Sequence, residues 1–261
     1  MHFQRSMANM TRAVRGSRKH VLDWLGSPGF MAELNALLEP APVVVPSGAA
    51  WMPLGHKSAR EARLDTFGPR TLPHAIDWNA LRKWWLKHER GNTPNWDFAA
   101  TCEIESSEGI LLIEAKANVP ELGKAGKRLD LGATSRSREN HQQIGRAIRD
   151  AQSALEALVP NISISQDSHY QLANRLAFTW KLASMGLPTA LVYLGFTHDS
   201  GIADAGEPFA DAEHWNRHFY SHVGDTIPSS AFERRIATGA APFWLLVRAR
   251  KALSPSPPRS R

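Results

Sequence analysis

Residues 110–116, with the sequence ILLIEAK, constrain the fold more than any other part of the chain. Four consecutive apolar residues without polar alternation are typical of a strand that is covered on both faces, as in the centre of an α/β sheet. The strand then reaches Glu114 and Lys116, which are costly to bury unless they pair or bind an ion. Strand periodicity places both side chains on one face of the sheet.

The preceding residues predict a partner for this strand. Residues 95–105 form a second strand-like run, and Ser106-Ser107-Glu108-Gly109 is a turn signal between the two, which together predict a β-hairpin. Asp97 lies at the start of the first strand, so antiparallel pairing returns it to the level of Glu114. We therefore expect Asp97, Glu114 and Lys116 to converge.

The rest of the sequence predicts helices that alternate with strands, which indicates an α/β fold. Two short helices are interrupted at residues 27–29, an irregular stretch with a short strand fills 41–73, and a helix follows at 77–89. After the hairpin we expect helices at 136–159 and 169–186, a buried strand at 188–196, helices at 212–223 and 229–237, and a strand at 241–249.

The arrangement of Asp97 before one strand and Glu114-Ala115-Lys116 on the next resembles the PD-(D/E)XK nuclease superfamily. The resemblance implies a restriction-endonuclease-like αβββαβ core, in which helices flank a central mixed sheet. The expected organisation is a flexible basic segment at 1–16, a helical addition and irregular connection at 17–72, the nuclease-like domain with its C-terminal extension at 73–251, and a disordered tail at 252–261.

This resemblance also implies a reaction, the metal-dependent hydrolysis of phosphodiester bonds by an endonuclease or exonuclease. Asp97, Glu114 and the backbone carbonyl of Ala115 would bind Mg²⁺ or Mn²⁺, because hard dications prefer oxygen ligands. Lys116 would position the attacking water and stabilise the charge on the phosphate. Glu89 and Glu103 are the alternatives for a third acidic ligand. A solvated carboxylate at the helix end is the favoured interpretation of Glu89, and an edge position in the sheet would leave Glu103 merely solvated.

Residues expected to contact nucleic acid lie on both sides of the start of the 136–159 helix. Lys124, Lys127 and Arg128 precede it in a loop that is also consistent with a solvated segment, and Gln142 and Gln143 lie in its early turns, where they either contact the substrate or form an exposed polar face. The net charge of +6 favours a polyanionic partner. We expect DNA as the substrate, and a homodimer is left open.

Several other classes of protein are disfavoured. The single cysteine, Cys102, excludes an internal disulfide and a cysteine zinc cluster, and the sequence has no uninterrupted apolar run of about 18 residues. We therefore expect a cytoplasmic protein without a membrane partner. His214, His218 and His222 recur at helical spacing and favour a surface stripe over a metal site. The rival functions are an inactive nuclease-fold module that binds nucleic acid or protein, and a phosphoesterase acting on small nucleotides.

Overall fold

The computed structural model describes residues 15–89 and 91–253. The predicted flexible N-terminus and disordered tail fall largely in residues 1–14 and 254–261, outside the described part. Within it, a mixed, curled sheet forms the centre of an α/β fold, which confirms the predicted fold class at this level. No helix in the described ranges combines the length and the hydrophobicity that a membrane crossing requires.

Seven strands form the central sheet, in the spatial order β1-β5-β6-β7-β9-β8, and β2 also pairs with β5. β6 pairs with β5 in antiparallel and with β7 in parallel orientation, so it lies inside the sheet as its apolar sequence predicts. A separate pair is formed by β3 and β4. The strands are β1 (Val43–Val44), β2 (Trp51–Met52), β3 (Ala62–Arg63), β4 (Asn95–Trp96), β5 (Phe98–Ile104), β6 (Ser107–Lys116), β7 (Thr189–Thr197), β8 (Arg235–Ala237) and β9 (Pro242–Lys251).

The β5–β6 hairpin confirms the predicted pairing, but its turn lies earlier than residues 106–109. Ile104 pairs with Ser107, and the two residues between them, Glu105 and Ser106, have φ angles of 51° and 64°. Two successive positive φ angles are typical of the tight turn that matches the twist of antiparallel strands. The sequence did not predict a turn at Glu105, because glutamate rarely adopts a positive φ angle.

Helices cover both faces of the sheet. One face packs against α4 to α7 through residues such as Trp85, Ile148 and Trp215, and the other packs against α1 and α2 through Trp24 and Leu34. The helices are α1 (Gly16–Leu25), α2 (Phe30–Leu38), α3 (Leu64–Thr71), α4 (Trp78–Trp85), α5 (Ser135–Leu158), α6 (Tyr170–Ser184) and α7 (Ala212–Val223).

Two segments differ from the sequence prediction. The short strand predicted within the irregular stretch at 41–73 is present as β1, but the same stretch also contains β2, which pairs with β5, and the elements β3 and α3. The helix predicted at 229–237 is instead a single 3-10 turn at Ser229–Ala231 followed by β8, which pairs with β9. The strands missed by the prediction have only two or three residues, which are too few to show a periodic pattern. The missed helix α3 contains Pro69, a residue that usually interrupts helices.

Candidate active site

Strand pairing brings three carboxylates to one level of the fold. Phe98 pairs with Ile113, so the adjoining residues Asp97 and Glu114 lie opposite each other. Ala62 pairs with Trp96 in the separate β3–β4 pair, which places Glu61 beside Asp97 from the other direction. All three carboxylates line one cleft of about 490 Å³, together with Lys127 and residues of α6.

Glu114 is the most heavily contacted of these carboxylates. Its side chain is only 2% exposed, and Oε1 accepts hydrogen bonds from Lys116 Nζ at 2.5 Å and from Gln171 Nε2 at 2.6 Å. Oε2 accepts from Arg175 Nε at 2.6 Å. Burial opposes ionisation, but the charges of Arg175 and Lys116 outweigh it and hold the pKa of Glu114 below its usual value. Glu114 is therefore a buried, ionised carboxylate with two cationic neighbours.

Asp97 has the opposite electrostatic character. Its Oδ2 accepts a hydrogen bond from the backbone N–H of Ala115 at 2.8 Å, and no donor from the described residues reaches Oδ1. Burial, followed by repulsion from the charge of Glu114, raises the pKa of Asp97 to about 7. The cleft therefore contains one carboxylate that is ionised and one that holds a proton up to neutral pH.

Three residues of this site lie outside the sequence prediction. Gln171 connects Glu114 with Lys116: its Nε2 donates to Glu114 Oε1, and its Oε1 accepts a hydrogen bond from Lys116 Nζ at 3.0 Å. Arg175 lies one helical turn later, with its guanidinium 4.6 Å from the ring centre of Trp96. The sequence could have indicated Gln171 and Arg175, because they are polar residues four positions apart, and thus on one face, of a helix that is otherwise largely apolar. Glu61 had no such signal, because it lies in the stretch read as irregular.

The two expected alternatives for a third acidic ligand lie elsewhere. Glu103 pairs with Glu108 near the turn of the hairpin, six residues from Asp97 along β5, which corresponds to roughly 20 Å. Glu89 is exposed and is not among the residues that line the cleft. Glu103 was predicted as a ligand because strand alternation places it on the same face as Asp97, but alternation carries no information on the distance between the two residues. Glu61 is the acidic residue that the fold places beside Asp97.

The expected nucleic-acid contacts divide into two groups. Lys127 lines the same cleft as Asp97 and Glu114, and Arg128 lines a neighbouring one, whereas Lys124 is exposed and lines neither. Gln143 donates to the backbone carbonyl of Trp84 at 2.7 Å, so it joins α5 to α4. Gln142 is exposed and lines none of the clefts described below.

A second cluster of potential metal ligands consists of Glu207, His214 and His218, whose ligand atoms lie within 4.8 Å of one another. His214 Nδ1 accepts a hydrogen bond from the backbone N–H of Ala210 at 3.0 Å. A neutral imidazole has one nitrogen lone pair, so its Nε2 then carries the proton, which faces Glu207 Oε1 at 3.4 Å. This arrangement favours a hydrogen-bonded surface cluster over a metal site.

The donor set around Asp97 fits a hard divalent ion, with one condition. Asp97 Oδ1 offers an oxygen ligand, and Glu61 offers its carboxylate, although its Oε2 accepts from Asn95 Nδ2 at 3.0 Å and its Oε1 lies 3.6 Å from Arg18 Nη1. Burial and repulsion from Glu114 raise the pKa of Asp97, and a dication would relieve the repulsion. Glu114 also fits by position, but both of its oxygens already accept from cationic groups. Glu114 can therefore join the ligand set only if Arg175 gives up its contact.

Comparison of the chain with protein-family models, with curated proteins and with solved structures gave no match. The function is therefore argued from the site.

Proposed function

We propose that this protein is a metal-dependent hydrolase of phosphodiester bonds in nucleic acid, with DNA as the favoured substrate. The observation that carries the proposal is the geometry of Asp97 and Glu114, which lie opposite each other and line one cleft, where burial and the charge of Glu114 raise the pKa of Asp97. The succession of β5, β6, α5, α6 and β7 agrees with the later part of the restriction-endonuclease-like core that the resemblance implies, and β2, which pairs with β5, takes the place of its first strand, although β3, α3, α4 and β4 lie between them in the chain.

Asp97 and Glu114 would hold Mg²⁺ or Mn²⁺, with Glu61 beside them and the Ala115 carbonyl as an additional ligand. The ion, when bound, would lower the pKa of a water molecule and neutralise charge on the phosphate. Lys116 does not itself line this cleft; it is buried in a small adjoining pocket that it shares with Glu114 and Gln171, and both of these residues orient its ammonium group. A fixed cation near the reacting phosphate stabilises the charge that develops in the transition state.

Arg175 has a second role in this proposal. Its guanidinium contacts Glu114 through Nε, Asn174 through Nη1 and the Trp96 ring through its face. Release from Glu114 would therefore leave it with two of its three contacts. A guanidinium beside the cleft can then form charge-assisted hydrogen bonds to a phosphate.

The direct test incubates the purified protein with plasmid and linear DNA in Mg²⁺ or Mn²⁺, beside Asp97→Ala and Lys116→Ala variants. We expect cleavage by the wild type and its loss in both variants. Undiminished cleavage in both would reject the assigned site. His214→Ala serves as the matched control, because it removes a potential ligand from the other cluster and should leave cleavage unchanged.

A second candidate function is a non-catalytic module of the same fold that binds nucleic acid or protein. One observation favours it, namely that Lys116, Gln171 and Arg175 saturate the Glu114 carboxylate without an ion. In that case the polar cluster stabilises the fold, and Arg175 does not move. Nucleic-acid binding without cleavage, in a protein that has no affinity for Mn²⁺, would support this function over hydrolysis.

A further inference from the structure

Two further clefts adjoin the active-site cleft along the first turns of α5. The second, of about 390 Å³, shares Asn92, Lys127 and Ile144 with the active-site cleft. The third, of about 370 Å³, shares Ser137 and Asn140 with the second. Because they share walls, the three clefts form one continuous depression, which we call the α5 groove.

The length of the α5 groove exceeds what a small ligand needs. Its wall along α5 extends from Thr134 to Ile144, which corresponds to about 15 Å at the rise of an α-helix. The active-site cleft continues beyond Ile144 to Asp97. A ligand that occupies the whole groove therefore consists of several linked units.

Charge is distributed unevenly along the α5 groove. The carboxylates of Glu61, Asp97 and Glu114 lie at one end, and the remainder is lined by the three cations Lys127, Arg128 and Arg136 and by one carboxylate, that of Asp130. Across residues 15–89 and 91–253, no carboxylate lies within ion-pair distance of the Arg128 or Arg136 guanidinium, unlike that of Arg175. These cations are free to contact successive phosphates of a polyanion.

The loop before α5 adds surfaces that suit bases. The Lys127 ammonium lies 4.8 Å from the ring centre of Tyr170, where the first two clefts meet. Leu129 and Leu131 on the same loop are exposed, with relative exposures of 39% and 107%. Proteins that bind unpaired bases place aromatic side chains beside a basic groove, and Tyr170, at the start of α6, is the aromatic side chain here.

The Asp97–Glu114 end of the α5 groove is deep, and this depth favours a single strand over a duplex. Glu114 is 2% exposed at the inner end of the groove, so the scissile phosphate has to enter the cleft to come near it. A duplex is stiff and carries its phosphates on the outside of a cylinder. A single strand bends freely and can follow the groove inward.

We propose that the α5 groove binds single-stranded nucleic acid, with one phosphate at the Asp97–Glu114 end and the following phosphates at Lys127, Arg128 and Arg136. This inference rests on the proposed function, because it names the form of the substrate. A second strand, where present, would have to be separated before it reaches the cleft.

The test measures fluorescence anisotropy of a short fluorescein-labelled DNA oligonucleotide, alone and as the matched duplex. The full chain is used in EDTA, so that the DNA stays intact. We expect at least about tenfold tighter binding of the single strand, which corresponds to about 1.4 kcal/mol. An Arg128→Gln, Arg136→Gln double variant should weaken single-strand binding and reduce the slope of log affinity against log salt by about 1.4.

Arg235→Gln is the matched control, since it removes one exposed guanidinium that pairs with Glu105 at the opposite end of the sheet. It should leave affinity for the single strand unchanged. Equal or tighter binding of the duplex would overturn the proposal, as would an equal effect of the control and the double variant. All three arginines are exposed, so the variants are expected to fold.

The result separates the two proposals. Single-strand binding that depends on Arg128 and Arg136, in a protein that never cleaves DNA, supports the groove and rejects hydrolysis. Metal-dependent cleavage of duplex DNA by a protein that binds single strands no better than duplexes supports hydrolysis and rejects the groove assignment.

Discussion

Arg175 Nε donates to Glu114 Oε2 at 2.6 Å, on the side of the carboxylate opposite to the contact with Lys116. One buried acid thus has two cationic neighbours, while the adjacent Asp97 has none in direct contact. This asymmetry accounts for the different pKa shifts of the two carboxyl groups, and it makes Arg175 the competitor of any ion that would bind between them.

Removal of this competitor should strengthen metal binding. In Arg175→Gln, Glu114 Oε2 loses its cationic partner, so we expect Mn²⁺ affinity to rise by about tenfold, while the metal-free protein loses about 3 kcal/mol of stability. Calorimetric titration and denaturant unfolding would measure the two effects. Arg250→Gln is a close control, because Arg250 also pairs with a glutamate, Glu33, and lies over a tryptophan ring. Unchanged or weaker Mn²⁺ binding in Arg175→Gln would contradict this assignment.

Loss of the Gln171 amide should impair the reaction more than the fold. Gln171→Leu removes an acceptor from Lys116 and a donor to Glu114, so we expect cleavage to slow by about tenfold to a hundredfold and stability to fall by about 1 kcal/mol. Single-turnover cleavage and thermal unfolding are the measurements. The exposed Gln142 provides the comparison, since Gln142→Leu should change neither quantity. A larger loss of cleavage in Gln142→Leu would restore the sequence-based assignment of substrate contact to that residue.

The raised pKa of Asp97 predicts a pH dependence of stability in the metal-free protein. In the unfolded chain the pKa of this carboxyl has its ordinary value of 3.8, whereas in the folded chain the pKa is about 7. Its stabilising contribution is therefore complete below the unfolded pKa and is lost as pH rises through the folded pKa. Asp97→Asn cannot ionise, so it should be more stable than the wild type by at least about 1 kcal/mol at about pH 8, and the gain should vanish at about pH 4. Denaturant unfolding in EDTA at both pH values tests this, and a gain that is independent of pH would refute it.

Close packing beneath Lys116 predicts a steric effect. Gly195 is the β7 partner of Lys116, and a Cβ added to it would lie 2.3 Å from the Trp215 ring. Gly195→Ala should therefore destabilise the fold by about 1 to 3 kcal/mol. Gly123→Ala, for which no neighbouring atom lies within 4 Å, should be close to neutral. Equal melting temperatures for the two variants would show that Trp215 does not limit this position.

The sequence predicted those parts of the site that depend on local pattern. The β5–β6 hairpin and the interior position of β6 follow from an apolar run and a turn within about twenty residues. Pairing within a hairpin is fixed by the chain itself, so the opposition of Asp97 and Glu114 follows once the two strands are recognised. The long α5 helix was also recognised, because its buried positions recur at helical spacing.

The missed residues depend on contacts between distant segments. Glu61 reaches Asp97 only through the two-residue pairing of β3 with β4, which no periodicity shows. Gln171 and Arg175 follow Glu114 by 57 and 61 residues, and their contacts are set by the packing of α6 onto the sheet. Glu89 was predicted as a ligand from its position on a helix, and Glu103 from strand alternation. Both patterns give the face on which a side chain lies and not its distance from the site.

Calorimetric titration with Mn²⁺ tests the central claim most directly. We expect that one ion binds per chain, that Asp97→Ala and Glu114→Gln each weaken this binding by at least about tenfold, and that His214→Ala leaves it intact. Binding that survives both carboxylate substitutions, or that is lost instead in His214→Ala, would contradict the assignment of the metal site to Asp97 and Glu114.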